Sequence, residues 1–324
     1  MALRPLPPTP FNAPIHPARD FAWVELPDGP VRLRAYRPDR TGLLPVLAWF
    51  HGGGFIFGDL YTAGATCRAL ANRSGAIVVA VQYRLAPEHP LEAGRADCLA
   101  AVRWLAQHAA ELGGDNRKLA VGGDSAGGGI AALVAQHCAR TGPALKSQVL
   151  VYPVTDMTGS YPSASEPMPR PLTPRWTAWI REQIAQVSDR SDPESSAIRT
   201  PGLSGVAPTI LLTAGFDPLR DEGIDYAEHL RAAGVPVRLL HYPGQIHGFV
   251  TFDRVLAASS DALRRLGAQL ARSCDGDLVS AVETDLPPAR NIDQLRWLNP
   301  SQRWHELKVA LLLLCEWLGG VPPE

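Results

Sequence analysis

The sequence predicts an α/β fold with a mostly parallel central sheet, an antiparallel hairpin on its N-terminal side and helices on both faces. From residue 46 onward, short apolar runs alternate with longer amphipathic or Ala-rich stretches. This alternation favours parallel strands joined by crossover helices. Two β-like runs precede it, and one long Pro- and Ser-rich gap interrupts it. At 324 residues and 46% hydrophobic content, the chain can bury a large core.

The hairpin is predicted from the runs 21–26 and 31–36, which the turn sequence PDGP joins at 27–30. The apolar runs predict strands at 46–50, 77–81, 119–122, 149–152, 210–213 and 237–242. The stretches between them predict helices at 66–74, 95–110, 128–140, 219–233 and 252–272. In such a sheet, ligands bind at the carboxyl ends of the strands.

The gap between 152 and 210 carries an aromatic cluster at Trp176 and Trp179. A structureless loop of this length is improbable inside a compact domain. We therefore expect an excursion with its own helices above the edge of the sheet.

Composition excludes several classes of function. The net charge is −1 and no run of Lys and Arg offers a footprint for nucleic acid. The five cysteines are scattered, with no Cys-x-x-Cys pair, so neither a disulfide framework nor a metal site is indicated. The most apolar stretch, 307–318, is too short to cross a bilayer, and the first residues carry no recognisable secretory signal. The sequence thus predicts a cytoplasmic protein without a membrane span.

Ser125 is the candidate nucleophile. It lies in the sequence GDSAG at 123–127, between a predicted strand and a predicted helix. A sharp strand-to-helix turn flanked by glycines exposes the serine hydroxyl, and the following helix directs its N–H groups at developing charge. The competing interpretation is a Gly-rich loop that packs a helix against a sheet.

A serine hydroxyl needs donors for the oxyanion that its attack creates. The sequence HGGG at 51–54 directly follows a predicted strand, and its glycines leave backbone N–H groups unshielded. Gly53 and Gly54, with Ala126 as a third donor, are the candidate oxyanion hole. The alternatives are a phosphate-binding loop or a tight turn, although the Gly-x-Gly-x-x-Gly and Walker spacings are both absent.

Asp217 and His247 are the candidate orienting acid and general base. Each follows a predicted strand, and the order Ser125, Asp217, His247 is the order used by α/β-hydrolases. Asp221 and Glu222 compete with Asp217, but acids in a first helical turn are favoured by the helix dipole alone. His247 by itself is equally consistent with a buried structural histidine.

Two other polar groups near the site are interpreted as structural. The sequence YRLAPEHP at 83–90 predicts a rigid, hydrogen-bonded turn beside the site. The side chain of Asp124 is expected to point away from the reacting face of the serine hydroxyl.

Taken together, these motifs resemble the hormone-sensitive-lipase-like group of α/β-hydrolases. The matching segments are HGGGFIFGD at 51–59, YRLAPEHP at 83–90, GDSAGG at 123–128, DPLRDEG at 217–223 and IHGF at 246–249. The resemblance implies an α/β-hydrolase domain over 1–272, with a cap formed by the excursion at about 156–205. It also implies a carboxylic-ester hydrolase without cofactor, in which Ser125 is the nucleophile, His247 the base and acid, and Asp217 the orienting residue.

The chain departs from the family pattern at both ends. Only fifty residues precede His51, where the family usually has a longer helical region that completes the cap, so we expect a reduced helical cap and a more open pocket. Gln82, Gly129 and Gln245 replace residues more usual in the family, and none of these changes removes a catalytic atom. The extension at 273–324 has no recognised counterpart, and it is expected to fill the space of the missing helices, to form a dimer contact or to be an appendage.

The predicted function is a serine carboxylesterase that hydrolyses short- to medium-chain acyl esters through an acyl-enzyme. Its predicted partners are a small-molecule ester substrate and, as the group often shows, a second copy in a homodimer. Amide or lactone hydrolysis on the same three residues is an alternative. A non-catalytic small-molecule receptor of the same fold and an inactive chain are the others.

Overall fold

The computed structural model describes residues 23–25, 31–166, 172–253 and 256–284. Its centre is one nine-stranded sheet in the order β1-β2-β4-β3-β5-β6-β7-β8-β9. The strands are β1 Trp23–Glu25, β2 Arg32–Tyr36, β3 Leu44–Phe50, β4 Ile77–Gln82, β5 Gly114–Asp124, β6 Ser147–Val151, β7 Thr209–Phe216, β8 Val237–Ile246 and β9 Ala281–Glu283. The β1–β2 and β2–β4 pairs are antiparallel, and every other pair is parallel. The predicted hairpin and parallel sheet are thereby confirmed.

Seven α-helices surround this sheet within the described residues. They are α1 Gly64–Ser74, α2 Leu91–His108, α3 Ala126–Thr141, α4 Pro162–Ser165, α5 Pro174–Ala185, α6 Arg220–Ala232 and α7 Ala257–Cys274. None of the helices in this part of the chain combines the length and the apolar character needed to cross a membrane.

Strand β3 shows why the sheet has a core on each face. Its alternate residues Val46, Ala48 and Phe50 pack into one cluster with buried side chains of α2, α3 and α6. Leu47 and Trp49 point the other way, into a second cluster with α1 and α7. Because a parallel sheet covered by helices buries both faces, its strands are continuously apolar, as the sequence indicated.

Strand β8 is longer than predicted, which matters for the site. It runs through Pro243 and Gly244 to Ile246, directly before His247. The pairing with β7 is irregular between Ala214 and Phe216, and a Cβ on Gly215 would lie only 2.0 Å from the Pro243 carbonyl oxygen. A Pro–Gly pair normally ends a strand, but here it lies where the ladder is irregular and the two chains approach closely.

The excursion between β6 and β7 forms the cap. It contains α4, α5 and a 3₁₀ turn at Pro193–Ser195. Thr173 caps α5 by accepting a hydrogen bond from the Trp176 N–H, and Pro174 occupies the first turn, where a missing N–H costs nothing. The N-terminal arm, which bears on how complete the cap is, lies outside the described residues.

The first residues of the extension after residue 272 belong to the last helix and the last strand of the fold. Helix α7 ends at Cys274, and β9 then pairs in parallel with β8 through Ala281, Val282 and Glu283. The sequence analysis predicted no strand here, because a three-residue strand is too short for a periodic signal. Residues 285–324, which include the apolar run and Cys315, lie outside the described part of the chain, and the domain boundary at 272 stays a prediction.

Candidate active site

Ser125 lies in the turn between β5 and α3. Its φ of 55° and ψ of −120° are unusual for a residue with a side chain, and such strain persists only when the surroundings hold it. Here the Ser125 N–H donates to the Val151 carbonyl at 2.8 Å, and the Ser125 carbonyl accepts from the N–H groups of Gly129 and Val154. A Cβ on Gly127 would lie 2.0 Å from the Phe50 carbonyl oxygen, so the helix can pack this closely only because residue 127 is glycine.

The structure brings Ser125, His247 and Asp217 into one hydrogen-bonded chain. His247 Nε2 lies 2.9 Å from Ser125 Oγ, and His247 Nδ1 lies 2.8 Å from Asp217 Oδ2. All three side chains are buried, Asp217 completely. Because a carboxylate only accepts hydrogen bonds, Nδ1 carries the proton, and Nε2 is left to accept the serine proton.

Two further contacts hold the side chains of Asp217 and His247 in place. The second carboxylate oxygen of Asp217 accepts from the Leu219 N–H at 2.8 Å, which fixes the rotation of the carboxylate. The ring of Tyr152 packs against the imidazole of His247, with centroids 4.7 Å apart. Tyr152 is itself buried and has a positive φ of 34°, a second strained residue beside Ser125.

The competing acids are engaged elsewhere. Asp221 accepts from the Ser163 N–H and from the Arg220 guanidinium. One oxygen of Glu222 accepts from the N–H groups of Thr155 and Asp156 at 2.7 and 3.2 Å. Burial raises the pKa of Glu222 to about 8, which favours its neutral form at pH 7. Of the three acids, Asp217 is the one that contacts His247.

The candidate oxyanion loop follows β3. Gly53 and Gly54 have φ values of +125° and +63°, which residues with side chains rarely adopt. Neither N–H donates to an acceptor in the described part of the chain. The N–H of Ala126 lies in the first turn of α3, where helical N–H groups have no partner within the helix. All three candidate donors therefore have N–H groups available to a ligand.

Asp124, His51 and Tyr83 support this loop rather than react. The Asp124 carboxylate accepts from the Gly52 N–H at 3.1 Å, and burial raises its pKa to about 6. His51 is buried, stacks on Tyr83 at 4.3 Å and hydrogen-bonds the Gly52 carbonyl at 2.8 Å. Burial also lowers the pKa of His51, which favours the neutral ring. The Tyr83 hydroxyl donates to the His51 carbonyl at 2.6 Å.

These groups open onto one cavity of about 590 Å³. Its floor includes Ser125, His247, Gly53 and Gly54, and its roof is the cap helix α5. Most of the remaining wall is apolar and includes Phe55, Phe57, Val154, Met157, Leu172, Trp176, Ile180, Ile184, Leu219 and Phe252. A cavity of this size and character encloses a small organic molecule and leaves few polar groups to orient it.

The sequence analysis did not identify three residues of this cavity. Tyr152 ends a predicted strand and showed no polar pattern of its own. Glu222 was weighed only as a rival of Asp217, whereas it holds the backbone that leads into the cap. Arg181 follows Thr177 by four positions and precedes Ile184 by three, and that spacing on a helix was the available signal that the three share one face. Among the described residues, no cluster of three metal-ligating side chains occurs.

Comparison with known proteins gives a consistent result. The family model described as alpha/beta hydrolase fold matches residues 47–251. Esterase LipI of Mycobacterium tuberculosis is 41% identical over 81% of this chain and 84% of its own length. Ethyl acetate hydrolase of Pseudomonas putida is 39% identical over 72% of this chain and 75% of its own.

A solved structure extends the likeness to three dimensions. The hyperthermophilic esterase of the archaeon Pyrobaculum calidifontis superposes with a TM-score of 0.75 at 41% identity, over 81% of this chain and 87% of that one. The motifs, the sheet order and these likenesses agree, and the chain belongs to the hormone-sensitive-lipase-like esterase group of the α/β-hydrolase superfamily.

Proposed function

We propose that this protein is a serine carboxylesterase that hydrolyses short- to medium-chain acyl esters through an acyl-enzyme. The observation that carries the proposal is the continuous hydrogen-bonded chain from Asp217 through His247 to Ser125 at the floor of an apolar cavity. The esterase names of the relatives support the same reaction class.

In the first half-reaction, Ser125 Oγ attacks the ester carbonyl carbon while its proton passes to His247 Nε2. The imidazolium is stabilised by Asp217, which already accepts from Nδ1. The N–H groups of Gly53, Gly54 and Ala126 donate to the oxyanion. Collapse of this intermediate breaks the bond to the alcohol oxygen, and His247 gives that oxygen its proton.

The second half-reaction repeats these steps with water. His247 Nε2 removes a proton from water, the hydroxide adds to the acyl carbon, and the same donors hold the second oxyanion. Collapse then breaks the bond to Ser125 Oγ, which recovers its proton from His247. The acid leaves and the enzyme returns to its starting state without a cofactor.

The substrate range follows from the cavity. A volume of about 590 Å³ lies within the ~300–1,000 Å³ typical of small-molecule sites. The apolar wall suits an acyl chain, and residues of α5 line the same cavity as Ser125. We therefore expect activity to peak at intermediate acyl length and to fall for long chains.

The test is a series of 4-nitrophenyl esters from acetate to dodecanoate, assayed with the wild type and with Ser125→Ala. We expect a burst of acyl-enzyme and a maximum below about ten carbons in the wild type. The variant is expected to lose about 10⁴-fold or more in kcat. Equal rates for the two proteins would overturn the proposal and favour a receptor. Faster turnover of a matched anilide or lactone would favour the other acyl-transfer reactions.

Two finer predictions accompany this function. We place the enzyme in the cytoplasm, because the four described cysteines are free and buried, as expected in a reducing compartment. Cell fractionation with a marker enzyme tests it, and recovery in a secreted fraction would contradict it. The second prediction is a homodimer. Sedimentation velocity measures the mass in solution, and a mass of two chains supports the prediction whereas a mass of one chain contradicts it.

A further inference from the structure

One face of the cap helix α5 forms the roof of the catalytic cavity. The residues of this face are Trp176, Thr177, Ile180, Arg181 and Ile184, whose spacing follows the helical repeat. Pro174, Arg175, Ala178, Glu182 and Ala185 are exposed on the outer face. Arg181 is thus a cation on the face that is otherwise mostly apolar. It is the one arginine or lysine among the described residues that line the cavity.

The Arg181 guanidinium has no acidic partner in the described part of the chain. The ion pairs of these residues, counted to 4.0 Å between nitrogen and oxygen, do not include it. It lies against the backbone of Gly159, where an added Cβ would be 2.1 Å from Arg181 Nη2. A partly buried charge beside apolar side chains is costly unless something pairs with it.

One acid of the cavity lining, Asp156, is already engaged with other groups. Asp156 accepts from the Thr158 N–H and hydroxyl, from the Ser160 hydroxyl and from Arg199 Nε. Although burial alone would raise the pKa of Asp156, these hydrogen bonds lower it. The carboxylate is therefore ionised, but its charge is neutralised by Arg199.

A second guanidinium increases the excess of positive charge. Arg190 donates Nε and Nη2 to the Met157 carbonyl rather than to a carboxylate. Burial, and then the charge of Arg181, lower the pKa of Arg190, which places the two cations within electrostatic reach. Arg199 pairs with Asp156, whereas neither Arg181 nor Arg190 forms an ion pair with a carboxylate of the described residues.

The other acids of the site form no ion pair with Arg181. Asp124 is bound to the Gly52 N–H below the oxyanion loop, and Glu222 is bound to the N–H groups of Thr155 and Asp156. Burial raises the pKa of Glu222 to about 8, which favours its neutral form at pH 7. Burial raises the pKa of Asp124 only to about 6, so Asp124 stays largely ionised at pH 7, but it forms no ion pair with Arg181. Asp217 is paired with His247.

We propose that Arg181 binds a carboxylate carried by the substrate, and that this enzyme prefers esters with a free carboxylate remote from the bond that is cleaved. Monoesters of dicarboxylic acids carry it on the acyl side, and acyl esters of hydroxy acids carry it on the alcohol side. The inference rests on the proposed esterase function. A guanidinium recognises a carboxylate in bidentate geometry, so one such contact orients the whole ligand.

The experiment measures kcat/KM by pH-stat for matched esters. Monoethyl adipate and ethyl heptanoate compare a carboxylate with a methyl-terminated chain on the acyl side. 6-Acetoxyhexanoate and heptyl acetate make the same comparison on the alcohol side. We expect the wild type to prefer the anionic member of at least one pair, and the preference to weaken at 1 M salt.

Variants at position 181 identify the group responsible. Arg181→Gln is expected to raise KM for the preferred anionic ester about tenfold with little change for its neutral counterpart. Arg181→Lys keeps the charge and is expected to retain most of the preference. Arg175→Gln removes a charge from the outer face of the same helix and is expected to leave both esters unchanged.

The outcomes separate this inference from the proposed function. Turnover of the neutral esters without preference for an anionic one overturns the inference and leaves the esterase intact. The same holds if Arg181→Gln affects anionic and neutral esters equally. Absence of turnover for every ester, in a wild type that unfolds cooperatively, overturns both.

Discussion

The strand-end loops and the cap helix form two sides of one cavity, but they are built differently. Ser125, Asp217 and His247 are at most 9% exposed, and backbone hydrogen bonds anchor the turns that carry Ser125 and Asp217. Helix α5 has one fully buried residue, Ile184, and meets the loop below through side chains, with Trp179 stacked on Phe57 at 5.9 Å. We infer from this contrast that the buried strand ends carry the reacting groups, whereas the more exposed cap helix selects the substrate.

The largest effect is expected on the sheet side, from Asp217→Asn. The amide would present an N–H to His247 and favour the wrong tautomer, which in serine proteases costs about 10⁴-fold in kcat. Asp221→Asn is the matched control, because Asp221 binds Ser163 and Arg220 instead. Steady-state kinetics on 4-nitrophenyl butyrate measure both. A loss of similar size in Asp221→Asn would contradict the assignment of roles.

A second large loss of activity is expected from Gly53→Ala in the loop that follows β3. The added Cβ would lie 2.1 Å from the Phe57 carbonyl oxygen at a φ of +125°, so the loop must shift. Displacing one oxyanion donor typically costs about 10²–10³-fold in kcat. Gly42→Ala tests the positive φ alone, since nothing lies within 4 Å of its Cβ. If Gly53→Ala has the same free energy of unfolding as Gly42→Ala and also keeps the wild-type kcat, the loop is not the oxyanion hole.

Stability should depend on pH through Asp124. Its folded pKa of about 6 lies above the ordinary 3.8, so between these values the native state binds more protons than the unfolded state. The wild-type free energy of unfolding therefore loses a contribution of about 2 kcal/mol as pH rises from 4 to 6. Asp124→Asn does not titrate and keeps an acceptor for the Gly52 N–H.

Urea unfolding of the wild type and Asp124→Asn from pH 4 to 7.5 checks this expectation. The stability of the variant relative to the wild type is expected to rise mainly between pH 4 and 6 and to level off above about pH 7. A pH-independent difference would mean that Asp124 titrates normally in the folded protein.

The smallest effect is expected on the cap side. Trp176→Ala should lower kcat/KM about tenfold for octanoate esters and less than threefold for acetate, because it removes apolar wall but no reacting group. Trp104→Ala is the matched control, since Trp104 stacks on His108 in α2, outside the cavity lining. An equal loss for both acyl lengths would show that the cap affects chemistry as well as selection.

The sheet could be predicted from sequence because its signal is local. Apolar runs such as 46–50 and 77–81 correspond to β3 and β4, and the glycines around Ser125 indicated the turn between β5 and α3. Chain order then suggested which acid and which histidine meet the serine, and the structure brings those two within hydrogen-bonding distance of each other and of Ser125.

The structure of the cap could not be predicted in the same way. Its helix α5 was expected only as part of an excursion, because the sequence there is rich in proline and serine and its apolar face is short. Arg181 carries no motif, and its place in the cavity depends on how α5 packs across the oxyanion loop, which is a tertiary property. The extension of β8 past Pro243 was equally hidden, since Pro and Gly normally indicate a turn.

Strand β9 has a consequence for handling the protein. Glu283 pairs with Arg238 of β8 and Arg265 of α7, and the strand covers the backbone of β8 with main-chain hydrogen bonds. A shortened version that stops at Asp277 would leave the N–H and C=O groups of β8 open as a template for another molecule. Removal of the residues after Asp277 to obtain a smaller enzyme is therefore expected to promote self-association during storage.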